Sequence, residues 1–345
     1  MNAEIDTLLT KLESGEIIKF NKNLFILNSE ESSIKKFKKN IKNEYIALPV
    51  SLFKFHGLTI KSNQQFLKFK ILKNFKNIQS FFEIDYKLQN YIDISSGSRL
   101  NKDEETVIDI FKKLNLLPLP IFFKLNNYKF GKVKSFKLNS IFKQLNQSKI
   151  LFRNQTLLPL KKNENVKIYL FDDLIQKVTH YVLVFNFDKI KTTPNVRIHS
   201  SCLTGDLMGS QKCDCGYQLN TAVDYMSKSK SIGLLIYLNQ EGRGMGIHNK
   251  IISYNIQNNG FDTYEADNIL GYSGDERNYK AAIKILKFFK FKNLNLITNN
   301  PEKIDSLRNN GIKVSKIIKI KPGVNKFNKN YLNTKKIIGK HLINL

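Results

Sequence analysis

Near the start of the chain, apolar positions Ile5, Leu8, Leu9 and Leu12 recur at helical spacing and Gly15 follows, which predicts an amphipathic helix with a glycine stop. Two short apolar runs come next, IIKF ending at Phe20 and LFIL ending at Leu27, and both read as strands. A second amphipathic helix is predicted from Asp103 to Leu116, with Val107, Ile108, Ile110, Phe111 and Leu114 on one side. The Lys-, Asn- and Phe-rich segments between these elements show neither period. The stretch from Asn126 to Ser148 is rich in Lys, Asn and Ser and predicts a poorly packed connection. Lys167–Phe171 and His180–Phe187 then read as a strand pair.

After Thr192 the texture changes, and glycine, arginine and polar motifs become dense, as expected where loops carry chemistry on a rigid scaffold. The predicted order is strand Val196–His199, a cysteine loop, helix Tyr217–Met226, strand Ile232–Leu238, a glycine loop and helix Ile247–Asn258. Helix Asn278–Phe289, strand Leu294–Thr298, helix Glu302–Asn309 and strand Ile312–Ile317 complete it. Interleaved strands and helices of this kind predict an α+β fold.

With 345 residues, 41% apolar and 25% charged, the chain has the composition of a soluble globular protein, and two domains are the natural expectation. No apolar run approaches the roughly 18 residues of a membrane span; the longest, Leu114–Phe123, is broken by Pro118 and Pro120. The N-terminus MNAEIDTLLTKLESGE carries acids early and lacks a signal pattern, so a cytoplasmic protein without a membrane partner is expected.

The net charge of +27 invites a nucleic-acid reading. However, residues 1–190 hold 32 Lys+Arg against 18 Asp+Glu, and residues 191–345 hold 24 against 11, so the excess is +14 and +13 rather than one patch. Lysine outnumbers arginine 50 to six, which fits a compositional drift and a solvated lysine surface, and no nucleic-acid partner is expected. The acid-free stretch from Ser306 to Leu345, with ten Lys or Arg, either lies near phosphates or is a solvated basic tail.

The candidate chemistry starts with the cysteines. All three, Cys202, Cys213 and Cys215, fall within fourteen residues. Three protein ligands leave a metal's fourth position for water, the arrangement of catalytic zinc, where the bound water ionises near neutrality. Disulfides, or a closed structural site completed by His199 or His180, are the alternatives. The loop NQEGRGMG follows a buried strand and precedes a helix, a place where backbone amides meet anions, and Arg243 within it suits phosphate. TNNPEK, Thr298 to Lys303, sets Pro301 at a helix start, with Thr298 and Lys303 near its positive end; an ordinary capped helix is the alternative. Three of the six arginines, Arg197, Arg243 and Arg277, lie in these motifs, as expected if the planar fork is required where lysine would otherwise serve.

Together, RIHSSCLTGDLMGSQKCDCGYQL, NQEGRGMGIHNKI, GFDTYEADNILGY, GDERNY and TNNPEKI resemble GTP cyclohydrolase II in order and spacing, from about Val196 to about Gly311. The resemblance implies a mixed-sheet α+β catalytic domain over residues 151–345, preceded by a smaller α+β domain over residues 1–150. It further implies zinc-dependent hydrolysis of GTP to 2,5-diamino-6-(5-phosphoribosylamino)pyrimidin-4-one, formate and pyrophosphate, the entry step of riboflavin synthesis. One Zn2+ per chain, Mg2+ on the triphosphate and a homodimer are expected with it.

Carried over by position, Cys202, Cys213 and Cys215 match the zinc ligands. Arg197, Ile198, His199, Ser200, Ser201, Gln218, Glu241, Gly242, Arg243, Thr263, Thr298 and Lys303 match substrate contacts. Tyr254, Asp275 and Arg277 match catalytic positions, with Asp275 as base and Arg277 as nucleophile. A guanidinium keeps its proton in proteins, so a clamp on the α-phosphate is the physically easier role for Arg277. Ser201 stands where the family commonly has Glu, and Asp267 where Asn is usual. LLTKLESGEIIKF resembles the start of dihydroxybutanone phosphate synthase, but NKNLFILNSEESS lacks the acidic cluster that would hold Mg2+ there, which implies a degenerate, inactive relative. A same-family hydrolase of another nucleotide or base, and a zinc-dependent RNA-binding protein, are the competing readings.

One test follows from the arginine argument. Arg277→Lys keeps the charge and loses the fork. A charge-assisted hydrogen bond is worth roughly 1.5–3 kcal/mol and each 1.36 kcal/mol is about tenfold in rate, so kcat for formate release should fall on the order of ten- to a hundredfold with zinc retained. Arg308→Lys, outside the motifs, is the control; wild-type turnover in Arg277→Lys would end the argument.

Overall fold

The computed structural model describes residues 3–21, 24–29, 44–73, 75, 77–123, 133–189 and 191–342. Up to residue 147 its elements are helices α1 (Ala3–Glu13), α2 (Val50–Phe55), α3 (Lys102–Lys113) and α4 (Leu138–Leu145). The strands there are β1 (Ile18–Phe20), β2 (Leu24–Leu27), β3 (Tyr45–Pro49), β4 (Phe66–Ile71), β5 (Ile92–Ser98), β6 (Ile121–Phe123) and β7 (Ser135–Phe136). Strands β8 (Ile150–Leu157), β9 (Val166–Asp173), β10 (Val178–Phe185), β11 (Asn195–Ser200), β12 (Gly233–Leu238), β13 (Asn293–Ile297) and β14 (Lys313–Ile318) follow. The later helices are α5 (Cys215–Lys228), α6 (Gly246–Asn258), α7 (Thr263–Ile269), α8 (Lys280–Phe288), α9 (Pro301–Arg308) and α10 (Lys329–Ile337).

These elements form two compact units. One joins Met1–Gln147 with Met245–Glu276, and the other joins Ser148–Gly244 with Arg277–Leu345. Each holds a seven-stranded mixed sheet with helices, which is the expected α+β class.

In the first unit the strand order is β5-β4-β3-β6-β2-β1-β7, antiparallel except for the parallel β1–β7 pair. The predicted N-terminal helix buries Ile5, Leu8 and Leu12, and Gly15 follows it with φ +69°. Helix α3 starts at a reciprocal cap. The Asn101 side chain accepts from the Glu104 amide at 3.0 Å, and Glu104 accepts from the Asn101 amide at 2.8 Å. Lys68 Nζ then neutralises Glu104 at 2.7 Å.

The expectation of a poorly packed connection from Asn126 to Ser148 is corrected where the structure describes it; residues 126–132 lie outside the described residues. Residues 138–145 form α4, with Leu138, Ile141 and Leu145 buried. Their i, i+3, i+7 spacing gives one apolar stripe despite the polar composition.

In the second unit the order is β14-β13-β11-β12-β10-β9-β8. Strands β13, β11 and β12 run parallel, as do β13 and β14, whereas β8, β9 and β10 extend the sheet antiparallel. The predicted strand pair is β9 and β10. The core gathers Val196 and Ile198 of β11, Leu234 and Ile236 of β12 and Leu294 and Leu296 of β13, together with Ile285 and Leu286 of α8 and Leu307 of α9. Among the described residues no helix is long and apolar enough to cross a membrane.

Candidate functional site

Three motif loops leave the carboxyl ends of three adjacent parallel strands: the cysteine loop after β11, the glycine loop after β12 and TNNPEK after β13. This is the edge of a parallel sheet where ligands characteristically bind.

After β11 the chain makes a π-helical turn, Leu203–Leu207. It carries the chain back so that the ligand atoms of Cys202, Cys213 and Cys215 lie within 4.8 Å of one another. Cys202 Sγ and Cys213 Sγ are 3.7 Å apart. A disulfide would need roughly 2.0 Å, whereas two sulfurs on a tetrahedral zinc with bonds of about 2.3 Å are separated by about 3.8 Å. The donor set fits such an ion. The Cys202 sulfur beside it, together with burial, pushes the Cys213 thiol up to about 11. Cys215 is raised well above its ordinary value by Cys202 and Cys213 and by burial. A divalent cation reverses this, because it favours the thiolates.

Gly205 closes one side of the cluster: a Cβ there would meet Cys213 Sγ at 2.7 Å and Cys202 Sγ at 3.1 Å. Asp206 holds the turn. Its Oδ2 accepts from the Cys202 amide at 3.0 Å and from the Tyr237 hydroxyl at 2.9 Å, and lies 3.1 Å from His199 Nε2. Burial lowers the His199 pKa despite that carboxylate, so the neutral ring donates its Nε2–H, and it stacks on Tyr237 with ring centroids 5.5 Å apart. His180 is occupied elsewhere, its Nδ1 accepting from the Asn239 amide at 3.1 Å. Among the described residues neither histidine joins the thiol cluster, so the alternative of a closed site loses its fourth ligand.

A second relay starts two residues earlier on β11. Arg197 is 4% exposed; it donates to the Ile297 carbonyl at 3.2 Å and to Gln218 Oε1 at 2.7 Å. Gln218 Nε2 donates to Asp214 Oδ2 at 2.5 Å, and Lys335 of α10 reaches Asp214 Oδ1 at 3.3 Å. Burial brings the Arg197 pKa down to about 10; Asp214 and Cys215 oppose the shift, and the like charge of Arg277 adds to it. Lys335 behaves oppositely. Burial disfavours its charge, but Tyr331, Asp214 and Cys215 outweigh that and raise its pKa.

In the glycine loop Gly242, Arg243 and Gly244 all have positive φ, of 59°, 56° and 93°. Arginine in that region is strained backbone of the kind that collects at functional sites. Glu241 turns inward, accepting from the Leu203 amide at 2.6 Å and the Gly242 amide at 2.8 Å. The hydroxyls of Ser200 and Ser201 accept from Gln240, the side-chain amide at 2.9 Å and the backbone amide at 3.1 Å respectively, so Ser201 ties the strand end to this loop.

Thr298 is buried and its hydroxyl accepts from the Asn300 amide at 3.0 Å, while Asn300 caps α9 with Pro301 in its first turn. Lys303 is buried too, and its ammonium donates to the Ile198 carbonyl at 2.8 Å. Tyr254 on α6, Thr263 at the start of α7 and Asp275 belong to the other compact unit, together with Asp267, whose carboxylate accepts from the Ser253 hydroxyl at 3.2 Å.

Residues 152–319 match the family model for GTP cyclohydrolase II. The chain is similar to the GTP cyclohydrolase-2 of Aliivibrio fischeri (strain MJ11), 39% identical over 191 residues that cover 55% of this chain and 95% of that protein. The GTP cyclohydrolase-2 of Campylobacter hominis is 48% identical over 161 residues, covering 47% of this chain and 81% of that one. That of Picrophilus torridus is 43% identical over 187 residues, 54% of this chain and 96% of its own. The chain belongs to the GTP cyclohydrolase II family. It is an enzyme of that hydrolase family, which serves riboflavin biosynthesis. A solved two-domain 3,4-dihydroxy-2-butanone 4-phosphate synthase from A. baumannii aligns with 92% of this chain and 99% of its own, with a TM-score of 0.29 and 11% identity, a likeness too slight to bear on the fold.

Sequence reasoning toward this cyclohydrolase site passed over Asp206, Asp214, Tyr237 and Lys335. The two aspartates lie inside the cysteine motif, where their spacing beside the thiols was the available signal. Lys335 lies in the basic tail and carried no signal of its own.

Gly205→Ala puts a methyl among the sulfurs. We expect zinc per chain, measured by metal analysis, to fall well below that of wild type, while Leu207→Ala on the exposed side of the same turn keeps it. Wild-type zinc content in Gly205→Ala would show that the turn is not packed against the metal ligands.

Proposed function

We propose that the chain hydrolyses GTP to 2,5-diamino-6-(5-phosphoribosylamino)pyrimidin-4-one, formate and pyrophosphate, with one zinc per chain held by Cys202, Cys213 and Cys215. The observation that carries the reading is the three-thiol cluster at the carboxyl end of β11, beside the buried Arg197–Gln218–Asp214 relay. When bound, zinc supplies a water of lowered pKa and a Lewis acid. The chain's own residues bind and orient. Gln218 is clamped at both ends of its amide and Arg197 is fixed by two partners, a rigid pair suited to a purine edge.

The glycine loop and Arg277 supply backbone amides and guanidinium groups for the triphosphate, which Mg2+ accompanies. Ile198, His199, Ser200, Ser201, Glu241, Gly242, Arg243, Thr263, Thr298 and Lys303 complete the substrate contacts, some through their fold-level bonds. Asp275 as base and Tyr254 as a proton donor or water-orienting group are carried on the resemblance alone. Residues 151–345 form the catalytic domain, and residues 1–150 a domain related to dihydroxybutanone phosphate synthase without its metal-binding acids. The enzyme works in the cytoplasm as a homodimer.

Purified protein incubated with GTP and Mg2+ should release formate and pyrophosphate and contain one zinc per chain. Cys213→Ser should lose both the metal and formate release. Zinc without formate from GTP would favour a same-family hydrolase of another nucleotide or base, and active protein without zinc would end the metal reading. Ribulose 5-phosphate should yield no dihydroxybutanone phosphate; detecting that product at enzymatic rates would overturn the assignment of the N-terminal domain.

A further inference from the structure

The segment that carries Tyr254, Thr263 and Asp275 belongs to a different compact unit from the three thiols. Met245–Glu276 belongs to the same compact unit as Met1–Gln147, and the N-terminal part holds it at many points. Helix α7 ends in carbonyls that need partners outside the helix. Ser51 Oγ donates to the Asn268 carbonyl at 2.6 Å, and Gln65 Nε2 to the Gly271 carbonyl at 3.1 Å.

Gly271 has φ +90°, and a Cβ there would lie 2.4 Å from the Phe66 ring, so the backbone is pressed against β4. At the other end of the segment, the Asn115 carbonyl accepts from Asn249 Nδ2 at 3.1 Å, and Asn249 also reaches the Tyr272 hydroxyl at 3.0 Å. That hydroxyl donates to the Leu116 carbonyl at 3.1 Å, with Tyr272 fully buried.

The turn bearing Asp275 is closed by its neighbour. Glu276 Oε1 accepts from the Ser273 amide at 3.2 Å and from its hydroxyl at 2.9 Å. Gly274, φ +103°, sits where a Cβ would be 2.9 Å from the Tyr264 ring. Facing the same Glu276 oxygen at 3.9 Å is Lys112 Nζ, from the last turn of α3. Its ammonium lies 5.4 Å from the Phe66 ring centroid and 5.9 Å from that of Tyr272.

We propose that the N-terminal part of the chain is a scaffold for the Met245–Glu276 segment, and that Lys112 is a positioning residue that fixes the Asp275 turn through Glu276. Lys112 is 9% exposed, and so buried an ammonium is costly unless an anion answers it. Burial lowers its pKa, while Glu276 and Asp109 act to hold it up. A domain without chemistry of its own is thereby retained for geometry, where a misplacement of about 1 Å can cost on the order of a hundredfold in rate. The catalytic side of this inference rests on the reading of Asp275 as the base.

The test uses the full-length protein. Lys112→Met removes the charge at similar length and Lys112→Arg keeps it; Lys68→Met breaks a part-buried ion pair elsewhere in this unit, with Glu104, and serves as the control for simple destabilisation. Two readouts are taken: hydrogen exchange of the amides in residues 271–276, and kcat and KM for formate release from GTP at unchanged zinc content. Lys112→Met should speed exchange at that turn and lower kcat on the order of ten- to a hundredfold with KM near wild type. Lys112→Arg should restore part of both, and Lys68→Met should change neither. Ser51→Ala, which leaves no charge buried, should speed exchange at the end of α7 if Lys112→Met does not fold. Unchanged exchange at the turn in Lys112→Met overturns the scaffold whatever the activity; unchanged kcat with faster exchange overturns the positioning role. A wild type that releases no formate but loses turn protection in Lys112→Met would fault the functional reading and leave the scaffold standing.

Discussion

A guanidinium and an imidazole buried on the middle strand of a parallel trio must each find a partner, because an unanswered polar group there costs more than a hydrogen bond returns. Arg197 and His199 are 4% and 3% exposed, and the second unit supplies partners for both terminal nitrogens of the one and for Nε2 of the other. Arg197 draws in Gln218, and through it Asp214 and Lys335, which brings α5 and α10 to the end of β11. His199 draws in Asp206, whose carboxylate also takes the Cys202 amide and so sets the π-helical turn and the place of Gly205. The thiols converge because the turn is held, and the turn is held because the Nε2–H of the histidine beneath it needs an acceptor.

The excess of lysine has a different meaning inside the protein from the one it has at the surface. Lys112, Lys250 and Lys303 are buried. Lys303 serves the Ile198 carbonyl, Lys335 serves Asp214 and Lys112 faces Glu276, so lysine here does internal work that a solvated surface would not require. The arginine in the relay is used differently. Arg197 engages β13 through one terminal nitrogen and α5 through the other, and a point-like ammonium could not span both. For Arg197 the scarcity of arginine was therefore an informative signal, whereas abundance of lysine concealed which lysines are buried.

The placement of α6 and α7 gives the N-terminal part a structural task. Residues 239–244 leave β12 in one unit, and from Met245 onward the chain packs in the other until Glu276. The carbonyls at the end of α7, the Tyr272 hydroxyl and the Glu276 carboxylate all find partners on residues between Ser51 and Leu116. Backbone carbonyls, a tyrosine hydroxyl and a carboxylate make these contacts.

Much was legible in the chain. Local periodicity placed α1 and α3 within a few residues, because each buries a repeating face of its own, and α6, β11 and β12 were placed as closely. The convergence of the thiols was legible because all three cysteines fall within fourteen residues, and the three loops because each follows a strand. Other features were not. Helix α10 buries only Leu332, so it has no apolar stripe to read, and its importance lies in Lys335 meeting Asp214 from 121 residues away. Helix α4 was hidden by polar composition, and the association of Met245–Glu276 with the N-terminal part has no local trace at all. The sequence by itself determined the elements that bury a repeating face of their own and the residue types on offer for chemistry. Which buried charge answers which, and which part of the chain a segment packs against, was decided only by the tertiary structure, because burial and distant partners set those free energies and local spacing does not.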